Sequence, residues 1–93
     1  SGNCKMIYNF EKSFIRDFRN IKSKKLAKEI LETINQVSRA ETILEIEKIK
    51  RLSGYRDAYR IRSGDYRIGV IIKDGIVTFV AFAHRNEIYK RFP

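Results

Sequence analysis

The sequence is poor in the residues that support disulfide, metal or membrane chemistry. Among 93 residues it holds one cysteine, one histidine, one proline and no tryptophan. A single thiol, Cys4, excludes an internal disulfide framework. One cysteine with one histidine falls short of a structural zinc site, and neither a metal nor another cofactor is expected. No apolar run approaches the roughly 20 residues that span a bilayer. The N-terminus lacks the apolar segment of a signal peptide, so the expectation is a cytoplasmic chain with no membrane partner. With 43% hydrophobic and 33% charged residues, one globular domain over residues 1–93 is expected. Ser1 to Lys5 read as a disordered or tag-derived start.

Negative charge is also in short supply. Twenty Lys+Arg stand against eleven Asp+Glu, a net charge of +9. Residues 1–47 hold nine basic and seven acidic side chains, and residues 48–93 hold eleven and four, so the halves carry +2 and +7. A basic half of this kind points to phosphate, to an acidic partner, or to both.

Hydrophobic spacing orders the elements. Met6 to Phe10 alternates weakly and reads as a short strand. Phe14, Ile15, Phe18 and Ile21 then share one helix face, which predicts a short helix over residues 11–20. Ser23 suits the N-cap of a second helix, whose stripe is Leu26, Ala27, Ile30, Leu31, Ile34 and Val37 and which ends near Arg39. Residues 40–54 read as an irregular connector with an extended piece from Glu47 to Leu52. Three strands joined by tight turns complete the chain. The fold class expected is α+β, a small, twisted, antiparallel-rich sheet with the two N-terminal helices packed on one face.

Register can be argued from the turns. Asp74-Gly75 is a strong two-residue hairpin signal. It sets Ile72 opposite Val77, Val70 opposite Phe79 and Ile68 opposite Ala81. One face then carries Tyr66, Ile68, Val70, Ile72, Val77, Phe79, Ala81 and Ala83 and must be the core face. A two-residue Gly64-Asp65 loop places Ile61 opposite Ile68; a three-residue loop would drive Arg60 and Arg62 into the core. The opposite face then presents Arg60, Arg62 and Arg67, with Phe82 beside Arg67 and His84 at the same parity. Like charges set across from each other weaken a hairpin, so function is the better reason for this cluster.

Arginine is a planar fork suited to phosphate. With no carboxylate pair nearby, a two-metal nuclease is disfavoured. RNA offers a metal-free route, because its own 2′-hydroxyl attacks the adjacent phosphorus. The protein then needs a clamp for the charge on phosphorus and groups that move protons. Arg60, Arg62 and Arg67 are candidates for the clamp, and His84, Arg85 and Tyr89 for proton transfer or orientation. Phe82 offers a ring for a base. Lys22, Lys24, Lys25 and Lys28 at the start of the second helix, with Lys90 and Arg91 at the end, are candidates to track a phosphate backbone.

The order strand–helix–helix–three strands, the stretch from Leu52 to Ile68 with its Gly-Asp-Tyr-Arg block, the Lys73-Asp74-Gly75 turn and the ending from His84 to Tyr89 resemble the RelE/ParE superfamily of toxins, RelE branch. The resemblance implies a toxin of a type II toxin–antitoxin system that cleaves mRNA in the ribosomal A site, against 16S ribosomal RNA. Its alternative is the ParE branch, which inhibits DNA gyrase and cuts nothing. A cognate antitoxin is the implied protein partner, and operator DNA is a further ligand open to the pair. By the same resemblance Arg60 and Arg62 match the family's basic pair, Arg67 its block arginine, Tyr89 its terminal tyrosine, and His84 or Arg85 the remaining basic position. Ser53 stands where some members carry arginine.

Overall fold

The computed structural model describes residues 5–93; Cys4 and most of the Ser1 to Lys5 segment lie outside the described residues. Strand β1 (Ile7–Phe10) leads into helices α1 (Lys12–Arg19) and α2 (Lys24–Arg39). A 3-10 turn at Ile43–Glu45 and strand β2 (Ile49–Arg51) occupy the expected connector. Strands β3 (Ala58–Ser63), β4 (Tyr66–Lys73) and β5 (Ile76–His84) follow, and a short helix α3 (Ile88–Arg91) ends the chain. The sequence reading did not foresee α3. Four residues hold too little periodicity to show a helix.

The five strands form one sheet in the order β1-β5-β4-β3-β2. β1 runs parallel to β5, because the two helices carry the chain over the sheet before it returns; all other pairs are antiparallel. Ser23 caps α2 as expected, its Oγ accepting from the Leu26 N–H at 3.1 Å. Ile30, Ile34 and Val37 of α2 are buried with Phe14 of α1 against one sheet face, while Leu31 of the expected stripe is exposed. A run of rings joins β1, α1 and β5: Phe10 stacks on Phe79 at 4.9 Å, and Phe14 meets Phe82 edge-on at 5.3 Å.

Both hairpin loops have two residues. Ser63 pairs with Tyr66 across Gly64-Asp65, and Lys73 pairs with Ile76 across Asp74-Gly75. Asp74 (φ 53°) and Gly75 (φ 76°) both sit in the left-handed region, as a type I′ turn requires. Ile61 faces Ile68 and Tyr59 faces Val70, as the register argument predicts.

The β4–β5 register holds only part of the way. Ile72 faces Val77 and Val70 faces Phe79, but a β-bulge follows and Gly69 faces Ala81. Val80 is the extra residue. Beyond it every side chain of β5 changes face. Ile68 is opposite Phe82, not Ala81, and Arg67 is opposite Ala83, not Phe82. Phe82 is buried in the core against Phe14, whereas Ala83 joins a second cluster with Leu52, Ala58, Ile88 and Phe92 on the other face. There α3 lies on the sheet, and Phe92 packs so closely over Gly69 that a Cβ at that position would strike its ring.

Candidate functional site

The face away from α1 and α2 carries the arginines. β3 alternates Ala58, Arg60 and Arg62 onto it, and β4 adds Arg67 directly across from Arg62. Lys50 of β2 stands opposite Arg60. Arg60, Arg62 and Arg67 line an open groove of about 470 Å³ together with Lys48, Ile49 and Lys50. No carboxylate lines it. Among the described residues, the ion pairs are Arg16–Asp17, Lys90–Glu87 and Arg91–Asp17, and none of the face's arginines takes part.

Arg67 is aimed by its own turn. Its Nη1 donates to the carbonyls of Gly64 and Tyr66, each at 3.0 Å. Gly64 (φ 60°) supplies the left-handed residue that a two-residue loop of this shape needs. Burial holds the Arg67 guanidinium below the usual arginine value; Arg62, Arg85 and Arg60 press it the same way, and only Asp65 opposes them. Arg85 reaches this end of the sheet because its backbone N–H donates to the Asp65 carbonyl at 2.8 Å. Arg60 is half-buried opposite Gly69, and its Nε is a buried donor without an acceptor. A buried donor left unpaired costs about 1–3 kcal/mol, more when charged. Four positive groups held together, with Asp65 as the one opposing charge at Arg67, suit an anion.

Two expectations about this face are corrected. Phe82 is on the opposite, core face, turned there by the bulge, and is too buried to stack on a base. His84 is on the core-side face as well, paired with Tyr66, whose ring it meets edge-on at 5.7 Å. Its Nδ1 accepts from the Asn86 N–H at 3.2 Å, so the imidazole shapes the turn into α3. Arg85 is therefore the basic residue that the structure brings to Arg67.

Tyr89 is 62% exposed on α3, next to the buried anchor Ile88, and is not among the residues that line the arginine groove. Lys90 pairs with Glu87 at 3.5 Å, and Arg91 ties α3 to α1 through Asp17 at 3.3 Å. Lys22, Lys24, Lys25 and Lys28 are exposed at the start of α2, whose buried stripe packs on the other sheet face, and none lines the arginine groove. Sequence reasoning missed Lys48 and Lys50. The extended piece from Glu47 to Leu52 and its end at Ser53-Gly54 were visible, but the loop over residues 52–57 is too long to fix the register with β3 that sets Lys50 opposite Arg60.

Comparison with known proteins agrees with this geometry. The family described as "ParE toxin of type II toxin-antitoxin system, parDE" matches residues 8–89. Toxin RelE3 of Methanocaldococcus jannaschii is 37% identical over 87 residues, covering 90% of this chain and 96% of that protein. The RelB–RelE antitoxin–toxin complex from Methanococcus jannaschii contains a chain that superimposes with a TM-score of 0.68 at 32% identity, covering 90% of this chain and 98% of that one. The archaeal RelE–RelB complex from Pyrococcus horikoshii shows the same fold, with a TM-score of 0.69 at 20% identity and coverage of 87% and 96%. The family match over residues 8–89 and the 37% identical relative, covered over nearly its full length, place the chain in the RelE/ParE superfamily of toxins of type II toxin–antitoxin systems.

Proposed function

We propose that this toxin is a metal-independent endoribonuclease that cuts mRNA on the ribosome and so stops translation. The observation that carries the reading is the gathering of Arg60, Arg62, Arg67 and Arg85 at one end of a sheet face, where none of them is in an ion pair and Asp65 alone offsets their charge at Arg67. In the reaction the 2′-oxygen of the RNA bonds to the adjacent phosphorus and the 5′-oxygen of the next nucleotide leaves. One proton leaves the 2′-hydroxyl and one reaches the departing oxygen. The products are a 2′,3′-cyclic phosphate and a 5′-hydroxyl. Arg67, pinned by its two carbonyl bonds, meets the non-bridging oxygens as charge builds on phosphorus. Arg60 and Arg62 grip the strand, and Arg85 adds to the clamp. The Tyr89 phenol, exposed on α3, orients the nucleotide or moves a proton. Arginine is a poor base because it stays protonated, so the ribosome completes the site by positioning the 2′-hydroxyl against 16S ribosomal RNA.

A cognate antitoxin partner follows from the similarity to the RelB–RelE complexes. In this reading it covers the basic face in the cytoplasm, and the pair binds operator DNA. Lys22, Lys24, Lys25, Lys28, Lys90 and Arg91 serve as peripheral phosphate contacts. The test is primer extension on mRNA in a reconstituted translation system with wild-type protein and Arg67→Ala. Discrete new 5′ ends with wild-type protein only are expected; their absence with both proteins overturns the reading. The second reading, inhibition of DNA gyrase without nuclease activity, draws on the ParE description of the matching family. Loss of gyrase supercoiling with no mRNA cleavage would establish it instead.

A further inference from the structure

The loop over residues 52–57, between β2 and β3, has no part in the chemistry above. It is nevertheless built as a rigid presentation platform. Leu52 is buried with Ala58, Ile88 and Phe92. Its N–H donates to the Ala58 carbonyl at 2.9 Å, and the Asp57 carbonyl accepts from Ile72 N–H at 2.9 Å. Gly54 (φ 82°) and Asp57 (φ 65°) make the left-handed turns that close the loop. Held between them, Tyr55 is 52% exposed. A shallow groove of about 570 Å³ runs beside it, and its lining is Arg51, Leu52, Ser53, Gly54, Tyr55 and Arg56. An exposed aromatic ring and two arginines in one groove, with no carboxylate in the lining, combine the two things a single-stranded nucleic acid needs: a flat face for a base and positive charge for its phosphates. The loop also borders the arginine face. Leu52 shares a cluster with Ile88, whose neighbour is Tyr89, and with Phe92, which lies over Gly69, the cross-strand partner of Arg60.

We propose that Tyr55, with Arg51 and Arg56, is a base-stacking site that holds a nucleotide of the RNA strand away from the scissile phosphate. The proposal rests on RNA being the ligand of the adjacent arginine face. Tyr55 contributes to binding and positioning and takes no part in proton transfer. Its ring stacks without regard to base identity, so the site adds affinity and register but no sequence preference.

The test is equilibrium binding of the full-length chain at low salt to a strand of about ten 2′-O-methyl ribonucleotides. The blocked 2′-oxygen prevents cleavage. A strand of equal length that is abasic throughout is the comparison, and circular dichroism melting verifies the fold of each variant. Tyr55→Ala should weaken binding of the base-bearing strand by roughly 5- to 150-fold, the range for loss of one base–aromatic stack, and leave the abasic strand unchanged. Tyr55→Phe should bind both strands like wild type. Arg56→Ala should weaken both and lower the salt slope by about 0.7. Unchanged affinity of Tyr55→Ala for the base-bearing strand overturns the proposal, whatever the variant does to antitoxin binding. An equal loss on both strands overturns it too, as does a wild-type chain that binds neither. Cleavage of ribosome-bound mRNA, measured in parallel, separates the two readings. Tyr55-dependent binding without cleavage removes the nuclease and keeps the stacking site; cleavage with Tyr55-independent binding does the reverse.

Discussion

Arg67 is set in place before any substrate arrives. Two carbonyl bonds hold its guanidinium, and three other arginines surround it. Loss of one preorganised donor from a phosphoryl site lowers the chemical rate by roughly 10²–10³-fold. Arg67→Ala should do so in a single-turnover cleavage assay on ribosome-bound mRNA. Tyr89→Phe, which removes only a hydroxyl from an exposed ring, should also lose rate, and His84→Ala should keep it, because His84 is on the far face. The cluster also carries a stability penalty. Burial, and then Arg62, Arg85 and Arg60, lower the folded-state pKa of Arg67, so the native chain binds that proton less tightly than the unfolded chain. The penalty is therefore full wherever the group is charged in both states. It fades only as pH rises into the guanidinium range, so pH near neutrality does not alter it. Substitution does alter it. Arg62→Gln relieves a like-charge pair directly across the hairpin, a relief of about 0.2–1 kcal/mol. That corresponds to a rise of a few degrees in Tm by calorimetry at low salt, at roughly 4–8 °C per kcal/mol. An unchanged or lower Tm would show that the two arginines do not repel in the native state.

At the scale of elements, the bulge at Val80 decides what each face can do. Without it, Phe82 and His84 would stand among the arginines and Ala81 and Ala83 would enter the core. Deletion of Val80 removes the extra residue yet keeps Ala81 opposite Gly69 and Phe82 opposite Ile68, so each face should keep its residues. Phe82→Ala removes the ring that the bulge turns into the core and should cost about 3–5 kcal/mol, read as a lower urea midpoint. Gly69 sits beside the bulge and under Phe92. Gly69→Ala forces the ring away and should destabilise by about 1–3 kcal/mol. Hydrogen exchange locates the effect: the Phe92 N–H, bonded to the Ile88 carbonyl at 2.8 Å, should lose protection while the buried face of α2 keeps its own. An isolated glycine inside a strand pattern is a recognised sign of a bulge or a close approach. Gly69 marks both, so a signal was present in the sequence. Simple alternation overrode it, because the next turn, Asp74-Gly75, gave a consistent register up to Val70.

At the scale of the whole molecule, the two sheet faces divide the labour. α1 and α2 pack over the core face, and α3 covers only part of the other, leaving a basic groove open. With a net charge of +9, the long-range field as well as local contacts should draw in polyanionic ligands. The on-rate for an RNA strand, followed by stopped-flow fluorescence, should fall about tenfold or more between low and high salt while the off-rate changes less. A flat on-rate would remove electrostatic steering from the account. No helix among the described residues is long and apolar enough to cross a membrane, which agrees with the lack of long apolar runs.

Local chemistry in the sequence was enough to determine α1 and α2, the capping serine, both two-residue turns and the arginine face. Each depends on residues close together in the chain: the Ser23 cap, the Asp74-Gly75 turn, and the alternation of Arg60 and Arg62 about Ile61. The choice between His84 and Arg85 was different. It turned on one extra residue, Val80, whose placement depends on Phe82 reaching Phe14 from one side and Ala83 meeting Ile88 from the other. Lys48 and Lys50 joined the groove only through the pairing of β2 with β3, and Tyr89 gained its position from α3 docking on Gly69. Those contacts join segments far apart in sequence. Periodicity reports which side of an element is apolar, but only packing between elements decides which residues share a face.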